Sequence, residues 1–299
     1  MSTPPPTETH SGVIHDIGYR PYTGPRLGRR YATRSLFEQS LRAAYGLGRS
    51  GKSKVLPMLV LAVVTVPALI MVAVGIMTGA DKLPLDYAEY LSIFGLFPAI
   101  FTAAQAPVLM SRDLRHNTVP LYFSRPITRT DYVGAKFGAM AAALLLLMLS
   151  PLLVLYAGAL LAKLPFGENT EHLLYGVVAA LLYAVLYAGL GLLIAAATPR
   201  RGFGVAAIMG VLTVTNILAA IVFNLIGGLG YPPPQSAQWA LLLSPGMLVE
   251  GFVNQVFDLG AFDRPGRAPG ALGAVVFAVE TVALVAASYG LLRRRYRNI

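Results

Sequence analysis

Residues 46–53 read GLGRSGKS, which satisfies the phosphate-loop pattern G-x-x-x-x-G-K-S, and Gly46, Gly48 and Gly51 also satisfy G-x-G-x-x-G. Such a loop cradles phosphates with backbone N–H groups, but only when a β-strand precedes it and a helix N-terminus faces the ligand. Here a helical pattern precedes, Pro57 and a long apolar run follow, and no hydrophobic strand ending in Asp is at hand to hold magnesium. The letters therefore read as a basic, flexible joint between two helices. The second candidate is Glu280, the only acid in the middle of an apolar stretch, with Asn216 and Gln105 as polar residues in other stretches. Two readings of Glu280 stand: an intramembrane ionisable site, or a hydrogen-bonded packing acid partnered by Asn216 or Gln105. The four histidines (His10, His15, His116 and His172) lie outside the stretches, no HExxH or G-x-S-x-G occurs, and there is no cysteine. Intramembrane hydrolysis, disulfides and thiolate metal sites are thus excluded.

What must position these residues is a set of six apolar stretches, residues 55–78, 88–110, 137–162, 173–197, 203–226 and 271–292. A helix needs about 20 apolar residues to cross a bilayer, and lipid offers the backbone no other hydrogen-bond partner. Mean hydropathy is +0.62, with 13% charged and 56% hydrophobic residues. The first apolar run is too long for a signal h-region, so an uncleaved span is expected. An all-α integral membrane protein of six transmembrane helices follows.

Charge sets its orientation. Of the 24 Lys and Arg, nine precede the first stretch, five lie between the second and third, two between the fourth and fifth, and four after the sixth. Only Lys82, Lys163, Arg264 and Arg267 fall on the other side. Basic residues stay in the cytoplasm, which predicts a multi-pass protein of a bacterial inner membrane with both termini cytoplasmic. The net charge of +10 is distributed as a topology signal, so the implied partner is anionic lipid and not nucleic acid.

Between the spans, residues 1–34 read as an irregular cytoplasmic arm, and residues 35–54 as an amphipathic elbow helix and joint leading into residues 55–299. Leu36, Phe37, Leu41, Ala44 and Tyr45 share one face of that helix. It lies in the membrane interface or packs on protein. Residues 227–270 open with Gly and Pro and turn apolar again, with Ser244 as N-cap and Pro245 in the first helical turn. Neither half is long enough to span, which predicts short re-entrant or surface helices before the last span.

The segment 111–136 is basic and carries an apolar aromatic knot, Leu121, Tyr122 and Phe123, which either anchors a protein partner or packs against the spans. Thr128 and Asp131 form a capping-box pattern that starts the next helix. Ser124, Arg125, Pro126, Ile127, Thr128 and Arg129, followed by Lys136, resemble the coupling segment of permease subunits of type-2 ATP-binding-cassette (ABC) exporters. The leader around Asp16, Tyr19, Pro21, Tyr22 and Gly24 is similar to that of actinobacterial members. Pro120, inside the expected coupling helix, departs from the pattern. The resemblance implies six spans, an elbow helix, a coupling loop at 111–136 and an external re-entrant region at 227–270. It also implies a permease that pairs with a second permease copy, as homo- or heterodimer, and exports substrate when separate ABC ATPase subunits hydrolyse ATP. ATP and magnesium then belong to the partner, this chain being no enzyme, and Asp113, Leu121, Tyr122, Phe123 and Arg125 form the ATPase-coupling contact. The alternatives from other classes are an ion-coupled secondary transporter using Glu280 and a non-transporting membrane anchor; no inverted repeat with broken helices supports the former.

The topology is testable because the chain has no cysteine of its own. On intact cells an impermeant thiol reagent should label Asp81→Cys, Glu168→Cys and Asp263→Cys and spare Arg30→Cys, His116→Cys and Arg295→Cys. Labelling at His116→Cys would overturn the orientation.

Overall fold

The computed structural model describes residues 23–24, 27–79, 81–115, 118–124, 126–198, 200–227, 233–259 and 266–297. In chain order the helices are α1 (Arg29–Ala44), α2 (Lys52–Thr78), α3 (Tyr87–Ile93), α4 (Leu96–Leu109), α5 (Ser111–Arg115) and α6 (Val119–Phe123). Then come α7 (Arg129–Leu161), α8 (Phe166–Ala197), α9 (Arg201–Gly227), α10 (Gln235–Gln238), a 3-10 turn at Trp239–Leu243, α11 (Pro245–Val256) and α12 (Gly270–Arg297). The described residues contain no strand. Among them α2, α7, α8, α9 and α12 are each long and apolar enough to cross a bilayer, and α3 with α4 passes the same test as one bent span. The all-α membrane architecture is thus as expected.

The second span departs from its expected form. Residues 88–110 were to make one helix, but the axis turns by 61° between α3 and α4. Pro98 explains the break: it has no N–H for the carbonyl of Phe94 four residues earlier, and its ring crowds that carbonyl. Gly95 sits at the corner, its N–H on Ser92 O at 3.1 Å. The outer piece is then fixed sideways, with the Tyr90 hydroxyl donating to Val64 O of α2 at 2.8 Å.

The elbow helix begins at Arg29 and not at Ser35, so residues 29–34 belong to it and not to the irregular arm. Gly28 is extended and ends the arm. The first helical residue is held by tertiary contact, since the Arg29 guanidinium donates to Asp131 Oδ2 and Oδ1 at 2.6 and 2.9 Å. A buried stripe of Leu36, Ser40 and Ala44 then faces protein. The Phe37 ring lies 3.5 Å from where a Cβ on Gly138 of α7 would sit. Tyr45 donates to Ala143 O at 2.8 Å, and burial pushes its phenol pKa up, which keeps it a donor. One face of the elbow is therefore seated on α7, leaving the basic face outward.

Two sets of contacts sort the helix ends. At one end the Tyr132 ring of α7 lies 5.2 Å from Tyr296 of α12, the Tyr296 hydroxyl reaches Met110 Sδ at 3.4 Å, and Ser111 donates to Ala195 O of α8 at 2.7 Å. At the opposite end His172 Nδ1 lies 2.7 Å from Asp86 Oδ2, and Tyr175 stacks on Phe257 at 4.2 Å. The basic segments cluster at the first end, as the alternation of charge requires. Central to the bundle is α8, which packs on α3, α4, α7, α9, α11 and α12.

The region before the last span folds back into the bundle. Ser244 caps α11 with Pro245 in the first turn, as the sequence predicts. Its hydroxyl lies 3.4 Å from Asn216 Nδ2 on α9. Asn216 stands eleven residues from the end of α9, about 16 Å at 1.5 Å per residue. The hairpin thus descends to about the middle of a 30 Å hydrocarbon core. Its return is tied by Asn254 donating to Gly266 O at 2.7 Å.

Helix α7 has 33 residues, about 50 Å of rod, so its first turns extend beyond the apolar core. Pro151 within it leaves the carbonyl of Leu147 without its usual N–H. The Ser150 hydroxyl supplies the missing bond at 2.9 Å and also meets Thr65 of α2 at 3.1 Å.

Candidate functional site

The segment joining α4 to α7 is built from two short helices and a capped start. Ser111 anchors α5 on α8, and the backbone N–H and hydroxyl of Thr118 both reach Asp113 O, at 3.1 and 3.2 Å, closing the turn before α6. Pro120 falls in the first turn of α6, where a helix N–H has no partner to lose, so it begins the helix and does not break it. The Ser124 hydroxyl donates to Leu121 O at 2.9 Å and closes the other end. The predicted capping box is present, Thr128 Oγ1 accepting from Asp131 N and Asp131 accepting from Thr128 N.

A buried charge pair holds this segment to the bundle. Lys136 Nζ lies 2.9 Å from Asp113 Oδ2, with side chains 7% and 13% exposed. The Tyr132 hydroxyl donates to the same oxygen at 2.8 Å, and the Lys136 ammonium also stands 5.6 Å from the Tyr132 ring centre. Around that ring gather Tyr122 at 5.5 Å, Phe123 at 6.1 Å and Tyr296 at 5.2 Å. Tyr132 is therefore the hub, touching α6 and α12 through its ring and α5 through its hydroxyl. Desolvating two charges costs several kcal/mol per ion, and the pair persists because each partner satisfies the other.

The expected site residues divide accordingly. Leu121 is 67% exposed and projects from α6, whereas Tyr122 and Phe123 are half-buried and lean on Tyr132. Asp113 points into the protein. Arg125 lies outside the described residues. Glu280, Asn216 and Gln105 are not joined: Asn216 bonds Ser244, Gln105 is buried in α4, and α12 packs mainly on α7, α8 and α11. Among the described residues no hydrogen bond or ion pair reaches Glu280. The hydrogen bond of Asn216 goes instead to the inserted hairpin.

Two groups escaped the sequence reading. Tyr132, Lys136 and Met140 continue one buried stripe of α7, and a lysine on such a stripe demands an acid, which would have pointed to Asp113. Tyr183 and Tyr187, one turn apart on α8, meet the hairpin tip: Tyr183 donates to Gly246 O at 3.1 Å, and the Tyr187 hydroxyl lies 3.0 Å from the place of a Cβ on Gly246. In the segment 46–53 a helix precedes the glycines, and Gly46 and Gly48 adopt φ of +69° and +76° to turn the chain from α1 into α2.

The profile of the ABC-2 family transporter protein family matches residues 53–297, from the start of α2 to the end of α12. The chain belongs to the ABC-2 transporter family. As a family member it is an ABC permease, the multi-pass membrane component of a transporter. Comparison with curated proteins returned no match. The elbow helix of this permease precedes the matched residues, and its seat on α7 ties it to them.

Breaking the buried pair has a predictable cost. Asp113→Ala leaves Lys136 charged and unpaired in the interior, a loss of about 3 kcal/mol or more. Thermal unfolding of the purified permease should show that destabilisation, and adding Lys136→Met should recover much of it. Strictly additive losses would mean that the two side chains are not energetically coupled.

Proposed function

We propose that this permease, with a second permease copy, forms the path for ATP-driven export across the bacterial inner membrane. Separate ATPase subunits dock on the segment 111–136 at the cytoplasmic face and hold ATP and magnesium; the chain itself hydrolyses nothing. The observation that carries the reading is the form of α6: an exposed Leu121 on a short helix whose two aromatic side chains brace against Tyr132. An exposed apolar tip on a rigid base suits insertion into a partner's cleft. Force arriving at α6 passes through Tyr132 and the Asp113–Lys136 pair into α7, and through Tyr296 into α12. Closure of the ATPases thereby shifts spanning helices as packed units, a hinge or shear movement.

The bracing separates recognition from folding. Leu121→Asp should insert and fold as the wild type does, yet lose copurification with the ATPase by about tenfold or more, since burying an unpaired charge forfeits an anchor worth about 2 kcal/mol. Undiminished capture of the ATPase would move the coupling role elsewhere in the segment.

Glu280 divides this reading from the ion-coupled one. ATP supplies the energy here and no titrating partner faces Glu280 among the described residues, so Glu280→Gln should retain transport in proteoliposomes at fixed ATP. Arrest of transport in that variant, with normal assembly, would favour a proton-coupled carrier.

A further inference from the structure

Between α6, the start of α7 and the end of α12 lies a cavity of about 820 Å³, lined by Phe123, Ile127, Arg129, Gly290, Arg293, Arg294 and Arg297 among others. Four arginines from two helices far apart in sequence line it, and among the described residues no acid does. The neighbouring acids are committed elsewhere, Asp131 to Arg29 and Asp113 to Lys136. Among the described residues none of the four arginines has a carboxylate partner; Arg129 instead stands 5.6 Å from the Phe123 ring. Like charges around an open cavity repel unless an anion joins them.

A second observation points the same way. A Cβ on Gly290 would meet nothing within 4 Å. A glycine inside a helix costs about 1 kcal/mol relative to alanine, and helix packing gives no reason for this one. Gly290 puts no side chain into the cavity from that wall. That wall and Phe123 and Ile127 are apolar, while the arginines stand one to eight residues from the ends of the apolar stretches that form α7 and α12. The volume is far more than a few ordered waters need.

We propose that this cavity binds the phosphate headgroup of an anionic phospholipid from the leaflet at the basic end of the bundle. The shared chemistry, a phosphate ester held by charge-assisted and bidentate guanidinium bonds, also fits a soluble phosphate. The amphipathic lining, apolar beside the arginines, selects the lipid. The inference takes its leaflet from the orientation given under Proposed function, but the binding needs no ATPase. A bound headgroup ties Arg129 of α7 to Arg293 and Arg297 of α12 beside the coupling helix, so lipid composition would tune how α6 is held.

The test uses the whole purified permease in nanodiscs with a fluorescent phosphatidylglycerol, against a phosphatidylcholine bearing the same fluorophore. Wild type should retain the anionic lipid preferentially. Arg293→Gln with Arg297→Gln, and separately Gly290→Phe, which fills the cavity without changing charge, should each cut that preference about tenfold or more. Inorganic phosphate and glycerol 3-phosphate at millimolar concentration should not displace the lipid. Equal retention of both lipids by wild type, or a preference untouched in both variants, overturns the proposal. So does displacement by free phosphate, which would assign the cavity to a soluble anion. Variants that keep the lipid preference but lose the ATPase would assign it to that protein's surface and overturn it too. Lipid preference that follows these variants, alongside ATPase capture that ignores Leu121→Asp, would leave this site standing while the coupling assignment fell.

Discussion

Two opposite charges buried where the connecting segment meets the membrane domain set the terms for much of this fold. Neither Asp113 nor Lys136 reaches water freely, and a buried charge is tolerated only when paired and hydrogen-bonded. Their meeting fixes the register of α5 against α7, and Tyr132, drawn in as a third partner, fixes α6 and α12 as well. Asp131, one residue away, faces outward and takes the elbow helix through Arg29. Four elements thus converge on the first two turns of a single helix, each through a contact that loses its value if the others shift.

Away from that polar end, the spans are held by shape. Lipid is as apolar as leucine, so helices gain little from hiding hydrophobic surface and associate through close packing and occasional hydrogen bonds. Gly158 of α7 takes Val72 of α2 directly against its Cα, with no room for a Cβ. The polar bonds are sparse and local: Thr65 with Ser150, Tyr90 with Val64 O, Asn216 with Ser244. Each lies between a span and the element that must not slide along it.

Much of this was legible in the chain. The apolar stretches, the charge alternation, the capping box at Thr128 and Asp131 and the Ser244-Pro245 helix start are signals carried by neighbours in sequence, and all reappear in the helices. What escaped depends on distant residues. The start of α1 at Arg29 follows from an acid 102 positions away. The bend in the second span was readable in principle from Pro98, but four other prolines sit inside helices that remain continuous, so the residue alone does not decide. In the candidate site the exposed Leu121 was anticipated with its two aromatic neighbours. Their division, one outward and two inward, is set by Tyr132, whose part no local pattern announces. Asn216 was matched to Glu280 by chemistry alone, and the hairpin that intercepts it enters from another part of the chain.

The repaired proline in α7 bears on the stiffness of the molecule. A helix resists bending through its ladder of hydrogen bonds, and at Leu147 the rung is a side-chain hydroxyl from Ser150 in place of a backbone amide. From Arg129 to that point runs about 27 Å of unbroken rod at 1.5 Å per residue; beyond it the final fourteen residues flex more easily. The helix therefore behaves as a beam with a stiff inner part and a compliant tip. Because Ser150 also leans on Thr65 of α2, curvature at that joint is registered by a second helix, and the two bow as a coupled pair.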